Sequence, residues 1–384
     1  LGTNHFNPLS HLTIDHPRVF ADCKSLAEAL VPSDANPSGN SEYFNSGAGG
    51  LVQALLLHLL ETKGREATLT DIRPILTSKA ALDRALFAMT EKSGFRPLRE
   101  LAAKFVKETK SIDEIISTAQ VKTDFLSEPA FEKCLSKSDF EFIDLKGKPT
   151  TVYVILPSRY LATYSAFMRL LMVAALDELQ TAEGGNVPTT FLLDEFAALG
   201  YLSHFEDAVG KIAGYGVQLW PFVQDLNQLK SLYKDRWETF VAAAGVVQWF
   251  APQDQFSQTY LSKRLGQKTV VTRSTSTSKG TSQRVGLFGF AKQLIPSVTA
   301  SDNEGQNIGE TGQPLMAPNE LAGLGRHHQL ITYTGYSYPL LGARFPYFIT
   351  QGELFALGVD EVFANRVLGT FGWFDLEPNP YFKS

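Results

Sequence analysis

The chain has 384 residues, 44% of them hydrophobic and 20% charged, enough to bury a sizeable core and to fill two or three domains at about 150 residues each. Its 35 basic and 40 acidic side chains leave a net charge of −5, which excludes a polycation that coats nucleic acid while leaving room for a local basic patch. Cys23 and Cys134 are its only cysteines and share no zinc-ligand spacing, so a disulfide scaffold and a zinc cluster are excluded and a reducing cytoplasm is expected.

In chain order, the opening Leu1-Gly2-Thr3-Asn4 has neither an initiator Met nor a signal-peptide charge pattern, so an interior piece of a longer protein is expected. LVQALLLHLL at 51–60 is a core helix, too short and too interrupted by Gln53 and His58 to cross a bilayer. SGAGG at 46–50 precedes it, and without a preceding strand or a Lys it reads as a close-packed helix entry and not a phosphate loop. Residues 62–137 carry helix-period apolar positions with breakers at Pro74, Gly94, Pro97 and Pro129, the pattern of an all-helical insertion.

From about 150 onward strand and helix signals alternate. TTVYVIL at 150–156 reads as a strand closed by Pro157, and Tyr164, Phe167, Met168, Leu171, Ala174 and Ala175 repeat at helical spacing after it. A turn at Gly184-Gly185-Asn186 leads to a second strand, TFLLDEF at 190–196. A helix opens near Ser203 and closes at Gly214 and Gly216, and VQLWPFVQ at 217–224 and AGVVQWF at 244–250 follow as strands, with a helix over 256–265. The expected fold class is therefore α/β, with at least four strands of one mostly parallel sheet covered by helices. TRSTSTSKGTS at 272–282 is too polar to fold on its own and reads as a mobile loop.

TFLLDEF places Asp194 and Glu195 at the carboxyl end of a buried strand, where open parallel sheets hold their ligands. In nucleoside triphosphatases a first acid here holds the water shell of Mg²⁺, and a second orients or deprotonates the attacking water. Gln224 closes the next strand one unit later, where an amide can contact both the γ-phosphate and that water. Apolar strands often end in acids, and a strand-end Gln is common, so the pair of strand ends carries the reading. No G-x-x-x-x-G-K-[ST] loop occurs, since Gly147-Lys148 runs into Pro149 and Gly210-Lys211 into Ile212. His5, His11, His16 and the pair His327-His328 have no companion spacing that argues for a metal.

Between Asp254 and Asp302 there is no acid, while Lys263, Arg264, Lys268, Arg273, Lys279, Arg284 and Lys292 are positive. Arg273, Lys279 and Arg284 are candidates to touch phosphate backbones without reading sequence; the alternative is a solvated surface loop.

The stretches LLDEFAALG (192–200), AGYGVQLWPFVQDLNQLKSLY (213–233), PQDQFSQTYLSKRLG (252–266) and QPLMAPNELAGL (313–324) resemble the TraG/TraD-like coupling proteins of conjugative and type IV secretion systems. SDFEFIDLKGKPTTVYVILP (138–157) and HFNPLSHL (5–12) resemble them too. The resemblance implies a RecA-like P-loop NTPase core over 1–61 and 138–384, interrupted by an all-α insertion domain at 62–137. It implies a hexameric ATPase at the cytoplasmic face of the bacterial inner membrane, using ATP and Mg²⁺ to deliver relaxase–DNA complexes or secreted effector proteins to the secretion channel. Asp194 becomes the acid of the Mg²⁺ water shell, Glu195 the catalytic acid and Gln224 the sensor amide. The family's membrane segment and phosphate loop lie upstream of the motif at 5–12, so hydrolysis is expected of the full-length protein, while for these residues alone it stays an open question. Some members of the family have an arginine finger shortly after the acid pair, where this chain has Lys211; Arg236 and Arg264 are the substitute candidates for that role. Two other readings are another RecA-like DNA translocase, and a docking platform whose nucleotide site is idle.

Overall fold

The computed structural model describes residues 4–32, 39–106, 109–181, 187–284, 297–325, 328–336 and 338–344, with the side chains of Ser203, His204, Asp207 and 273–308 left outside the description. The chain divides into two units, Leu1–Ala244 and Gly245–Ser384.

The first unit starts with α1 (Val19–Leu30) and α2 (Gly39–Lys63), followed by the short helices α3 (Ile72–Thr77), α4 (Lys79–Phe87), α5 (Arg96–Ala102), α6 (Lys110–Lys122) and α7 (Pro129–Cys134). Their starts follow side-chain chemistry. Ser78 accepts from the Ala81 N–H at α4, Thr109 accepts from the Ile112 N–H at α6, and Pro97 and Pro129 sit in the first turns of α5 and α7, where a missing N–H costs nothing. Every regular element described within 62–137 is helical.

LVQALLLHLL lies in the second half of α2, and Leu51, Leu55, Leu56 and Leu57 are fully buried. SGAGG is in the middle of that helix and not at its entry. Close packing is nonetheless its role, because a Cβ at Gly47 would lie 2.6 Å from Ile115 Cδ1 on α6. One apolar core runs from Phe6 through α1, α2 and the helical block to Phe167 and Ala175 on α8 (Ser165–Thr181). The helical block thus shares its core with α1, α2 and α8.

Residues 151–157 form no strand, and Tyr153 and Ile155 are 79% and 78% exposed. A β-branched run becomes a strand only beside a hydrogen-bonding partner, and among the described residues none pairs with it. The next two strands form where expected. β1 (Thr189–Leu193) and β2 (Val217–Pro221) pair in parallel, with Thr189 opposite Val217 and Leu193 opposite Pro221. Between them lies α9 (Ser203–Val209), and after them α10 (Leu226–Tyr233) and α11 (Glu238–Ala243).

The second unit holds β3 (Val246–Trp249), α12 (Gln255–Arg264), β4 (Gln267–Arg284), β5 (Ser297–Pro314), α13 (Pro318–Ala322), β6 (His328–Tyr333) and β7 (Leu340–Ala343). Two expectations change here. β3 pairs antiparallel with β6, which pairs with β7, so the described strands form three small sheets and not one. The polar run at 272–282 is strand and not loop. It lies in β4, which pairs antiparallel with β5 along its whole length from Gln267 opposite Pro314 to Arg284 opposite Ser297. Thr and Val are β-formers, and a second strand supplies the backbone partners that the run cannot find alone.

Candidate functional site

β1 ends at Leu193, so Asp194 and Glu195 are the first two residues beyond its carboxyl end, and both are solvent-exposed. The ladder to β2 continues past the strand ends: the Phe222 N–H donates to the Leu193 carbonyl at 3.1 Å, and the Phe196 N–H to the Phe222 carbonyl at 3.3 Å. The acid pair therefore sits beside Phe222, two residues before Gln224, which is also exposed. Asp194 and Glu195 directly follow the carboxyl end of β1, while Gln224, expected to close β2, lies in the loop between Pro221 at the end of that strand and the Asp225 cap of α10; all three follow the carboxyl ends of neighbouring parallel strands, the side where ligands of open α/β sheets bind.

Gln224 is fixed through its backbone. Its N–H donates to Gln228 Oε1 at 3.0 Å, while Asp225 Oδ1 accepts the Gln228 N–H at 3.0 Å as the cap of α10. Glu195 occupies the left-handed region, φ 54° and ψ 43°, which is strained for a residue with a Cβ and recurs at functional sites. It begins a 3₁₀ turn, Phe196–Leu199. Phe196 anchors that turn in an aromatic cluster with Phe205, Tyr233 and Phe240, all four buried.

The remaining candidates fall elsewhere. Arg236 is ion-paired through Nε to the buried carboxylate Glu206 Oε1, which ties it to α9. Lys211 is exposed, and Arg264 Nη1 reaches the Tyr260 hydroxyl at 3.4 Å. Arg273, Lys279 and Arg284 take register positions in β4 opposite Ile308, Asp302 and Ser297; their side chains lie outside the described residues. Lys292 and His327 lie outside the described residues altogether. Among the described residues no cluster of His, Cys, Asp and Glu could hold a metal ion through direct side-chain ligation, and no helix is long and apolar enough to cross a membrane. Cys23 is buried and its thiol is pushed up to about 12 by desolvation, an unreactive group.

One residue that the sequence reading missed contacts the turn after the acids: Arg169 of α8, 8% exposed, donates through Nη1 to the Leu199 carbonyl at 3.1 Å. Its only sequence signal is an Arg inside the apolar run Ala166–Leu176 of α8.

The fold belongs to the RecA-like P-loop NTPase class with a helical domain. It matches the unbound bacterial conjugative coupling protein TrwB, lacking its first 70 residues, with a TM-score of 0.58 at 14% identity, over 89% of this chain and 73% of that one. It also matches TrwB in complex with ADP and Mg²⁺, with a TM-score of 0.56 at 13% identity, over 89% of this chain and 71% of the other. The chain itself belongs to the family described as type IV secretory system conjugative DNA transfer, which it matches over residues 1–366. It is similar to the type IV secretion system-coupling protein VirD4 of Bartonella henselae, 27% identical over 359 residues that make up 91% of this chain and 53% of that protein. The chain spans about half the length of the curated relatives it matches.

Proposed function

We propose that this chain carries the nucleotide-hydrolysing part of a coupling protein that recruits DNA–relaxase complexes or effector proteins to a type IV secretion channel at the inner membrane. The observation that carries the reading is the exposed rim of Asp194, Glu195 and Gln224 at the ends of two adjacent parallel strands. The donor set fits Mg-ATP on its acidic side: two free carboxylates suit a hydrated Mg²⁺ and a water nucleophile, and an amide suits a phosphate oxygen. Bound Mg-ATP supplies the electrophilic γ-phosphate and the metal that neutralises its charge. With Mg-ATP bound, Asp194 would hold the metal through its water shell, Glu195 would take the proton from the attacking water, and Gln224 would donate to a phosphate oxygen or orient that water.

Residues 62–137 form the all-α insertion in this reading, and residues 1–61 with 138–384 form the nucleotide-binding domain. The full-length protein assembles as a homo-hexamer, and Arg273, Lys279 and Arg284 of β4 meet the DNA backbone without sequence preference. The test is Glu195→Gln in the full-length gene product. The variant should retain ATP while turnover falls by roughly 10²-fold, the usual contribution of a positioned proton acceptor. Turnover within twofold of wild type rejects the assignment.

A further inference from the structure

Arg169 makes contacts that its burial alone does not explain. Its guanidinium donates through Nε to the Ala29 carbonyl at 3.1 Å, and through Nη1 to the Leu199 carbonyl at 3.1 Å and Ser165 Oγ at 3.2 Å. Among the described residues no carboxylate pairs with it. Its charge is met instead by main-chain carbonyls: Ala29 lies in the last turn of α1, and Leu199 is the last residue of the 3₁₀ turn that begins at Glu195. Helix carboxyl ends carry partial negative charge, so one fork joins two of them. Desolvation lowers the guanidinium to about 10, which leaves it charged at neutral pH.

The loop from Glu195 to Gly200 has two ends to hold. The first is tied to β2 through the Phe196 N–H and the Phe222 carbonyl. The second is tied to α8 through Arg169, which also lies against the open face of Gly200, whose φ is 72° and whose missing Cβ would sit 3.6 Å from Nη1. Between these anchors Glu195 keeps a left-handed conformation that is costly for a residue with a Cβ. Releasing the second anchor lets the loop relax toward ordinary backbone angles and swings the carboxylate away from the rim.

We infer that Arg169 is a positioning residue for Glu195: by clamping the turn after the acids to α1 and α8, it holds the left-handed backbone that aims the Glu195 carboxylate. The inference rests on the assignment of Glu195 proposed above. A Lys at this position supplies a point charge and cannot reproduce the fork.

The experiment compares Arg169→Lys, Arg169→Met and Glu195→Gln in the full-length gene product, reading ATP hydrolysed per mole of bound nucleotide so that any unfolded fraction cancels. Displacing a catalytic group by about 1 Å costs on the order of 10²-fold. Arg169→Met should therefore lose about tenfold or more at unchanged nucleotide KM, with Arg169→Lys intermediate, and Arg169→Met should add nothing on a Glu195→Gln background. If Arg169→Met fails to fold, a drop of about threefold or more in Arg169→Lys supports the assignment by the same measure. Turnover within twofold of wild type in every folded Arg169 variant, while Glu195→Gln is inactive, overturns this inference alone. An active Glu195→Gln overturns the acid assignment and this inference with it.

Discussion

A carboxyl group buried among helices ionises reluctantly, and Glu178 of α8 titrates accordingly. It is 6% exposed, and desolvation pushes it up to about 7 from an ordinary 4.5, against the pull of the Ile143 and Phe142 N–H groups. Across from it His11 Nδ1 lies 3.6 Å from Oε1, and burial lowers that imidazole below its usual 6.5. The two shifts act in opposite directions. A raised carboxyl contributes stability that is complete below about 4.5 and is lost as pH rises through about 7, on the order of 3 kcal/mol in all. A lowered imidazole contributes stability that is present above 6.5 and lost as pH falls. Glu178→Gln keeps an oxygen acceptor for the Ile143 N–H and removes the charge. Denaturant unfolding at pH 5 and pH 8 should show the variant gaining relative to wild type at the higher pH by up to about 3 kcal/mol; an identical pH dependence in both proteins contradicts the raised value.

At the scale of elements, β1 and β2 were legible because each is a short apolar run that stops at a polar residue, Asp194 for one and Gln224 beyond the other, and their parallel pairing follows from the helices between them. α2 was legible for the same reason in helical period. What could not be read were elements whose existence depends on a distant partner. The run at 150–156 has the composition of a strand yet lacks a neighbour among the described residues, while β4 has the composition of a loop yet gains one in β5. Arg169 was invisible because its partners are carbonyl oxygens, which every residue has and no sequence marks. The β4–β5 pairing also revises the electrostatics, because the acid-free stretch lies in register with a strand bearing Asp302, Glu304 and Glu310. Arg273 and Lys279 both take register positions in β4. Changing both to Ala should weaken single-stranded DNA binding by the full-length protein and flatten its salt dependence, by about one unit of log–log slope per lost phosphate contact. An unchanged slope removes β4 from the DNA-binding surface.

At the scale of the whole molecule, the core that runs from Phe6 to Ala175 joins the helical block to α1, α2 and α8, and Arg169 extends that connection to the turn beside the acids. The acid rim is tested most directly by anomalous diffraction from the full-length protein holding Mn²⁺ and a non-hydrolysable ATP analogue. The manganese peak is expected about 4 Å from the Asp194 carboxylate, one ligating water away, with the γ-phosphate facing Glu195 and Gln224. A peak remote from the carboxyl ends of β1 and β2 contradicts that placement.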